Sequence, residues 1–203
     1  MNFFLLYVSL PALLFRIMSE TPFSELNNPP FLVATTLATV SAFVLAMVAG
    51  RIIGELSLRK ATMAGLAGAY GNIGYMGPGL ALAVLGAKAA APTALFVLGV
   101  TVALRPFDRV PWEVPGVIAI KLLVHPLIVF GLMLLFGPFA QPWAATAVLM
   151  AALPPALNVF VIARQNNTWI EPASVAVLIG TFASVVTLTS VMWFIQSGRL
   201  VFP

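Results

Sequence analysis

Apolar runs separated by polar residues and by Pro/Gly punctuation divide the chain into seven segments: about Asn2–Met18, Phe31–Ile53, Ala61–Gly86, Ala89–Leu104, Gly116–Phe136, Trp143–Ala163 and Ala173–Gln196. Within each, apolar residues fall on every side rather than at alternate positions. That pattern predicts helices with no face reserved for water and excludes a β-barrel, whose strands alternate over about ten residues. Six segments are long enough to cross a hydrocarbon layer of about 30 Å. The exception, Ala89–Leu104, has 16 residues and at about 1.5 Å per residue reaches only roughly 24 Å.

The connectors are short and hold nearly all the charge, which leaves no room for a soluble domain. Composition agrees: 61% of residues are hydrophobic and 8% charged, against about 25% charged in a soluble domain. The net charge of +4 is scattered between apolar runs with no aromatic-basic patch, so nucleic acid is not an expected partner; the lipid bilayer is. Lys/Arg residues on alternate sides number six (Arg51, Arg59, Lys60, Arg105, Arg109, Arg164) against three (Arg16, Lys88, Arg199), with Lys121 inside a span. If all seven segments cross, the positive-inside rule puts the N-terminus in the cytoplasm and the C-terminus outside. Residues Met1–Leu10 lack the basic start and cleavage site of a signal peptide, so the first run is read as a retained span.

Two segments are broken internally. The third contains Gly71-Asn72-Ile73-Gly74-Tyr75-Met76-Gly77-Pro78-Gly79, and the sixth contains Leu153-Pro154-Pro155-Ala156-Leu157-Asn158. In a regular helix each Gly costs about 1 kcal/mol and each Pro about 3 relative to Ala, so both stretches are expected to unwind. Unwound backbone at membrane depth is tolerated only where it is buried in protein or faces a cavity. A pair of such breaks in two halves is the pattern of a transporter binding site, where freed N–H groups meet an anion. Each break carries one amide, Asn72 and Asn158, able to hold a carboxylate without burying a charge. A single break alone is more often a packing kink than a site.

Lys121 and His125 lie four apart in the fifth segment, on one helical face, with Pro126 next. Ionisable groups at this depth mark ion or substrate paths, which suggests proton coupling or anion attraction. The competing reading is that Lys121, five residues into the span, snorkels to the interface. Gly50 and Gly54 match a helix-packing spacing at a span's end, a signal close to chance. Asn166-Asn167-Thr168 matches a glycosylation acceptor in a loop placed on the cytoplasmic side. Thr181, Ser184, Thr187, Thr189 and Ser190 either line a polar face or bond back to their own helix, the commoner case. With no cysteine, one histidine and one aspartate, the chain has no nucleophile constellation, phosphate cradle or His-based metal site, so neither an enzyme nor a cofactor is expected.

The motifs as a set, Tyr7-Val-Ser-Leu-Pro11 through Phe15-Arg16, Gly71-Asn72-Ile73-Gly74-Tyr75-Met76-Gly77-Pro78, Leu98-Gly99-Val100-Thr101 with Arg105-Pro106, Lys121 through His125-Pro126, and Leu153-Pro154-Pro155-Ala156-Leu157-Asn158, resemble the auxin efflux carrier family, in particular its bacterial malate or malonate transporters. The resemblance covers essentially the whole chain, in the family's order. It implies an all-α membrane protein of the inner (cytoplasmic) membrane, related to a ten-helix carrier of two inverted five-helix repeats. In that plan the fourth helix of each repeat is broken and crosses its counterpart, and a mobile domain moves against a scaffold and dimer domain like an elevator. Carried over by motif, Asn72 and Asn158 are the crossover asparagines, with Gly74, Tyr75, Pro78, Pro154 and Pro155 around them.

On this mapping the family's first, fifth and sixth helices are missing, the gap falling near Lys88–Pro92. The chain then divides into residues 1–88, a three-helix N-terminal remnant, and 89–203, a four-helix C-terminal remnant. The resemblance implies a secondary carrier of small organic anions, homodimeric and coupled to H⁺, Na⁺ or nothing. The alternative is a non-transporting shortened protein or an accessory subunit of a full-length carrier.

Overall fold

A computed structural model describes residues 28–73 and 110–198, together with Phe15, Ser19 and Met76 individually. The regular elements among the described residues are all helices, with no strand. Six helices follow in order: α1 (Pro29–Ile52), α2 (Leu58–Ala69), α3 (Val114–Phe136), α4 (Gln141–Ala151), α5 (Leu157–Gln165) and α6 (Ile170–Gln196). Three of them, α1, α3 and α6, are long and apolar enough to cross a membrane, with 24, 23 and 27 residues. At about 1.5 Å per residue each exceeds a core of about 30 Å. The first apolar segment, apart from Phe15, and Ala89–Leu104 lie outside the described residues.

The start of α1 follows from its sequence. The side chain of Asn28 accepts from the Phe31 N–H at 3.3 Å, and two prolines fill the first turn, where no N–H has a helical partner. Along its length Ala34, Ala38, Ala42, Ala46 and Gly50 recur every fourth residue and are all buried. This stripe of small side chains lets α2 approach closely. A Cβ at Gly65 would lie 2.9 Å from the Phe43 ring, and one at Gly50 would lie 3.2 Å from the Ala64 methyl. Gly50 is therefore a packing residue after all, the last step of a ladder of alanines rather than half of an isolated glycine pair. The opposite face, with Leu32, Val33, Leu37, Val44 and Val48, is exposed and apolar, as a lipid-facing surface must be.

Helix α3 carries a π turn at Ile120–Val124, where the His125 N–H reaches back five residues to the Ile120 carbonyl. Pro126 accounts for it: the residue has no N–H to offer Leu122, and its ring crowds that carbonyl. The turn places Lys121 and Leu122 inside the protein. At the other end of the bundle, Trp169 adopts a left-handed conformation (φ 53°) just before α6 and donates from Nε1 to Glu113 Oε1 at 3.3 Å, tying the starts of α3 and α6 together.

Packing is organised around small residues and a few large ones. One apolar cluster joins Leu56, Ala64, Val117, Val159 and Trp169; a second gathers Val129, Met133, Phe139 and Val148. Phe31 closes the second cluster with edge-on contacts to Phe139 and Trp143, at centroid distances of 5.7 and 5.2 Å. On α6 the hydroxyls of Ser184, Thr187, Thr189 and Ser190 all bond back to carbonyls of their own helix, so they form no polar conduit.

A methyl at Gly68 would collide with the Ala46 methyl. We expect Gly68→Ala to destabilise the protein by about 1–3 kcal/mol, as overpacking does. Gly131→Ala, at a helical site with nothing within 4 Å, should be neutral or mildly stabilising. Thermal unfolding in detergent micelles checks this: equal melting temperatures for the two variants would contradict close α1–α2 packing.

Candidate functional site

The two broken segments meet. Helix α2 stops at Ala69 because Tyr70 turns to extended backbone (φ −80°, ψ 99°), and α4 stops at Ala151, with α5 restarting at Leu157. Between these ends Gly71 and Pro155 face each other as an antiparallel bridge. The Asn72 N–H donates to the Pro154 carbonyl at 2.9 Å, and the Ala156 N–H donates to the Tyr70 carbonyl at 3.0 Å. Each break thus supplies what the other lacks. The tandem prolines have no N–H to leave unpaired, and the donors and carbonyls beside them are matched across the gap.

Position 71 is tightly surrounded, which suits a glycine. A Cβ there would lie 3.2 Å from Lys121 Nζ and 3.3 Å from the Met150 carbonyl oxygen. On the far side, Pro155 seats against α6, where a Cβ at Gly180 would come within 2.7 Å of the proline Cδ. The single glycine inside an otherwise regular long helix was a visible signal for such a close approach, one the segment reading passed over.

Lys121 does not snorkel. It is fully buried, and its ammonium donates to the Ala151 carbonyl at 2.9 Å and lies 3.0 Å from His125 Nδ1. Ala151 is the last residue of α4, so the cation sits on the unpaired carbonyl end of a half-helix, where the helix dipole favours positive charge. His125 is also buried. The spacing of four placed both groups on one face, as the sequence predicts, and the π turn aims that face at the crossing.

Asn158, in the first turn of α5, donates from Nδ2 to the Tyr70 hydroxyl at 3.2 Å, linking the two breaks through side chains as well as backbone. The Asn72 Oδ1 atom is buried and has no hydrogen-bond partner among the described residues. Pro154 and Pro155 are buried. Gly74, Tyr75 and Pro78 lie outside the described residues. Tyr70 itself was not among the sequence-predicted site residues; it precedes the glycine run, and nothing local distinguishes it from an interfacial tyrosine.

A cavity of about 820 Å³ opens beside the crossing, between α1, α3 and α4. Its wall includes Phe31, Thr35 and Phe43 of α1, then Tyr70 and Gly71, and Lys121 and His125 of α3. Neither Asn72 nor Asn158 lies on that wall. Among the described residues no three His, Cys, Asp or Glu side chains group as metal ligands do.

Comparison with known proteins identifies the family. Residues 81–192 match the family model described as "Membrane transport protein". The chain is 34% identical to a "Putative malonate transporter" from Rhizobium meliloti (strain 1021), an alignment that takes in 98% of this chain and 88% of that protein. The alignment runs over 280 positions, more than the 203 residues of this chain, so the relative has internal segments without a counterpart here. No solved structure matches. An alignment of this extent, with a family model spanning more than half the chain and helices fit to cross a bilayer, leads to one conclusion: the chain belongs to the membrane transport protein (auxin efflux carrier) family and is a multi-pass membrane transporter, not an enzyme.

Proposed function

We propose that this protein is a secondary carrier that moves small organic anions of the malonate or malate kind across the bacterial inner membrane by elevator-type alternating access. The observation that carries this reading is the Gly71–Pro155 bridge, which holds two interrupted helices against each other beside a cavity. Interrupted helices that meet within a membrane protein are the architecture in which freed backbone groups and half-helix ends bind ions and substrates. The name of the Rhizobium relative suggests a dicarboxylate as cargo.

In this mechanism Asn72, Gly74, Tyr75, Pro78, Pro154, Pro155 and Asn158 bind substrate at the crossing. Lys121 and His125 attract the anion or couple a proton. Residues 1–88 and 89–203 correspond to the two repeat remnants, the N-terminus is cytoplasmic, and two copies associate as a dimer. The internal segments present in the relative and not here favour a second reading, in which the chain works as an accessory subunit of a full-length carrier.

Proteoliposome uptake of labelled malonate and malate separates these readings. Purified protein alone should give uptake; flux that appears only on co-reconstitution with a full-length relative would select the accessory role. Asn72→Ala combined with Asn158→Ala should lower uptake roughly tenfold or more, the scale of one lost hydrogen bond to a charged group. Unchanged flux in that double variant would reject the role given to the amides. Tyr70→Phe removes the acceptor of the Asn158 amide. It should reduce uptake less than Asn158→Ala does and add little on top of it, because both act on one contact. Independent, multiplying losses would show that Tyr70 does not position Asn158.

A further inference from the structure

The charge arrangement around the cavity is lopsided. Lys121 Nζ and His125 Nδ1 share one hydrogen bond at 3.0 Å, so one partner donates and the other accepts, and the pair carries at most one positive charge. No carboxylate answers it among the described residues: Glu55 lies in the turn after α1, Glu113 immediately precedes α3 and Glu171 stands in the first turn of α6. The Ala151 carbonyl supplies only a dipole. A buried amine at membrane depth with no carboxylate beside it among the described residues is costly to charge, and such groups persist where function requires them.

The donors of the cavity point the same way. The ammonium has three protons, of which His125 and Ala151 account for two. The threonines on the wall have committed their protons: Thr35 to Phe31, Thr39 to Thr35 and Thr146 to Pro142, each a carbonyl of its own helix. Among the side chains of the described residues on the wall, what remains to answer an anion is the Lys121–His125 pair, set among Phe31, Phe43 and Val129 and beside the Tyr70 hydroxyl that holds the Asn158 amide.

We propose that this cavity is a subsite for one carboxylate of the substrate, with the Lys121 ammonium as its counter-charge and the apolar wall holding the carbon chain. His125 and the Ala151 carbonyl are positioning partners that keep the ammonium at the crossing. The inference rests on the carrier reading and adds a stoichiometry of charge: one negative group per cavity. A monocarboxylate is sufficient to occupy it, and the second carboxylate of a dicarboxylate belongs to the asparagine side of the crossing.

The test uses full-length protein in proteoliposomes, with labelled malonate uptake challenged by unlabelled monomethyl malonate and dimethyl malonate. The monoester should compete and the diester should not. Lys121→Met should raise the malonate KM roughly tenfold to a hundredfold, the scale of a lost hydrogen bond to a charged group, while Lys121→Arg retains part of the affinity. Should Lys121→Met fail to fold, the ester series on the native chain still decides: equal competition by the diester overturns the subsite. A folded Lys121→Met protein with unchanged KM overturns it too and leaves the carrier reading standing. Absence of uptake by the native chain removes both.

Discussion

Backbone hydrogen bonding at membrane depth is the constraint on which the rest of this structure depends. A helix that stops inside a bilayer leaves N–H and C=O groups that water cannot reach, each costing several kcal/mol if unpaired. Here two helices stop, and each answers the other: Asn72 donates across to Pro154, and Ala156 donates back to Tyr70. The Pro154-Pro155 pair suits this exchange because it withholds donors where there is nothing to receive them. The bridge is two hydrogen bonds long, yet it decides where the ends of α2 and α4 and the start of α5 converge.

Close approach is the second requirement, and the chain meets it with small side chains. Alanines at every fourth position of α1 and glycines at 65 and 68 of α2 bring those helices together, and Gly180 lets Pro155 press against α6. In a bilayer, where apolar surface gains little by leaving lipid, such packing supplies association that the hydrophobic effect supplies in water. The crossing is held from one side by α6 and from the other by Lys121, whose ammonium caps the end of α4. A single side chain thus satisfies a half-helix terminus and places a positive charge beside the cavity.

Membership of the membrane transport protein family gives this arrangement its context, and the alignment gives it an unusual frame, since the Rhizobium relative has internal segments that this chain does without. The described core nonetheless brings the two breaks, the buried lysine and the cavity into one neighbourhood. Whatever those further segments contribute in the relative, the pairing of the breaks is made here by residues this chain contains.

Much of this was legible in the residues. Apolar runs bounded by Pro, Gly and charge located the long helices to within a few residues, and the Gly-rich and Pro-Pro stretches marked where two helices stop, because local backbone chemistry is decided by the residues that carry it. The i, i+4 spacing put Lys121 and His125 on one face for the same reason. Pattern reading went astray where the answer depended on a neighbour: Gly50 looked like chance until α2 was seen against it, and Lys121 could equally have reached for the interface. Sequence by itself determined that two helices break, and where; that the breaks bond to each other, that Tyr70 takes the Asn158 amide, and that a lysine closes the end of α4 was decided by tertiary structure alone, since hydrogen bonds between groups 30 to 88 residues apart have no local signature.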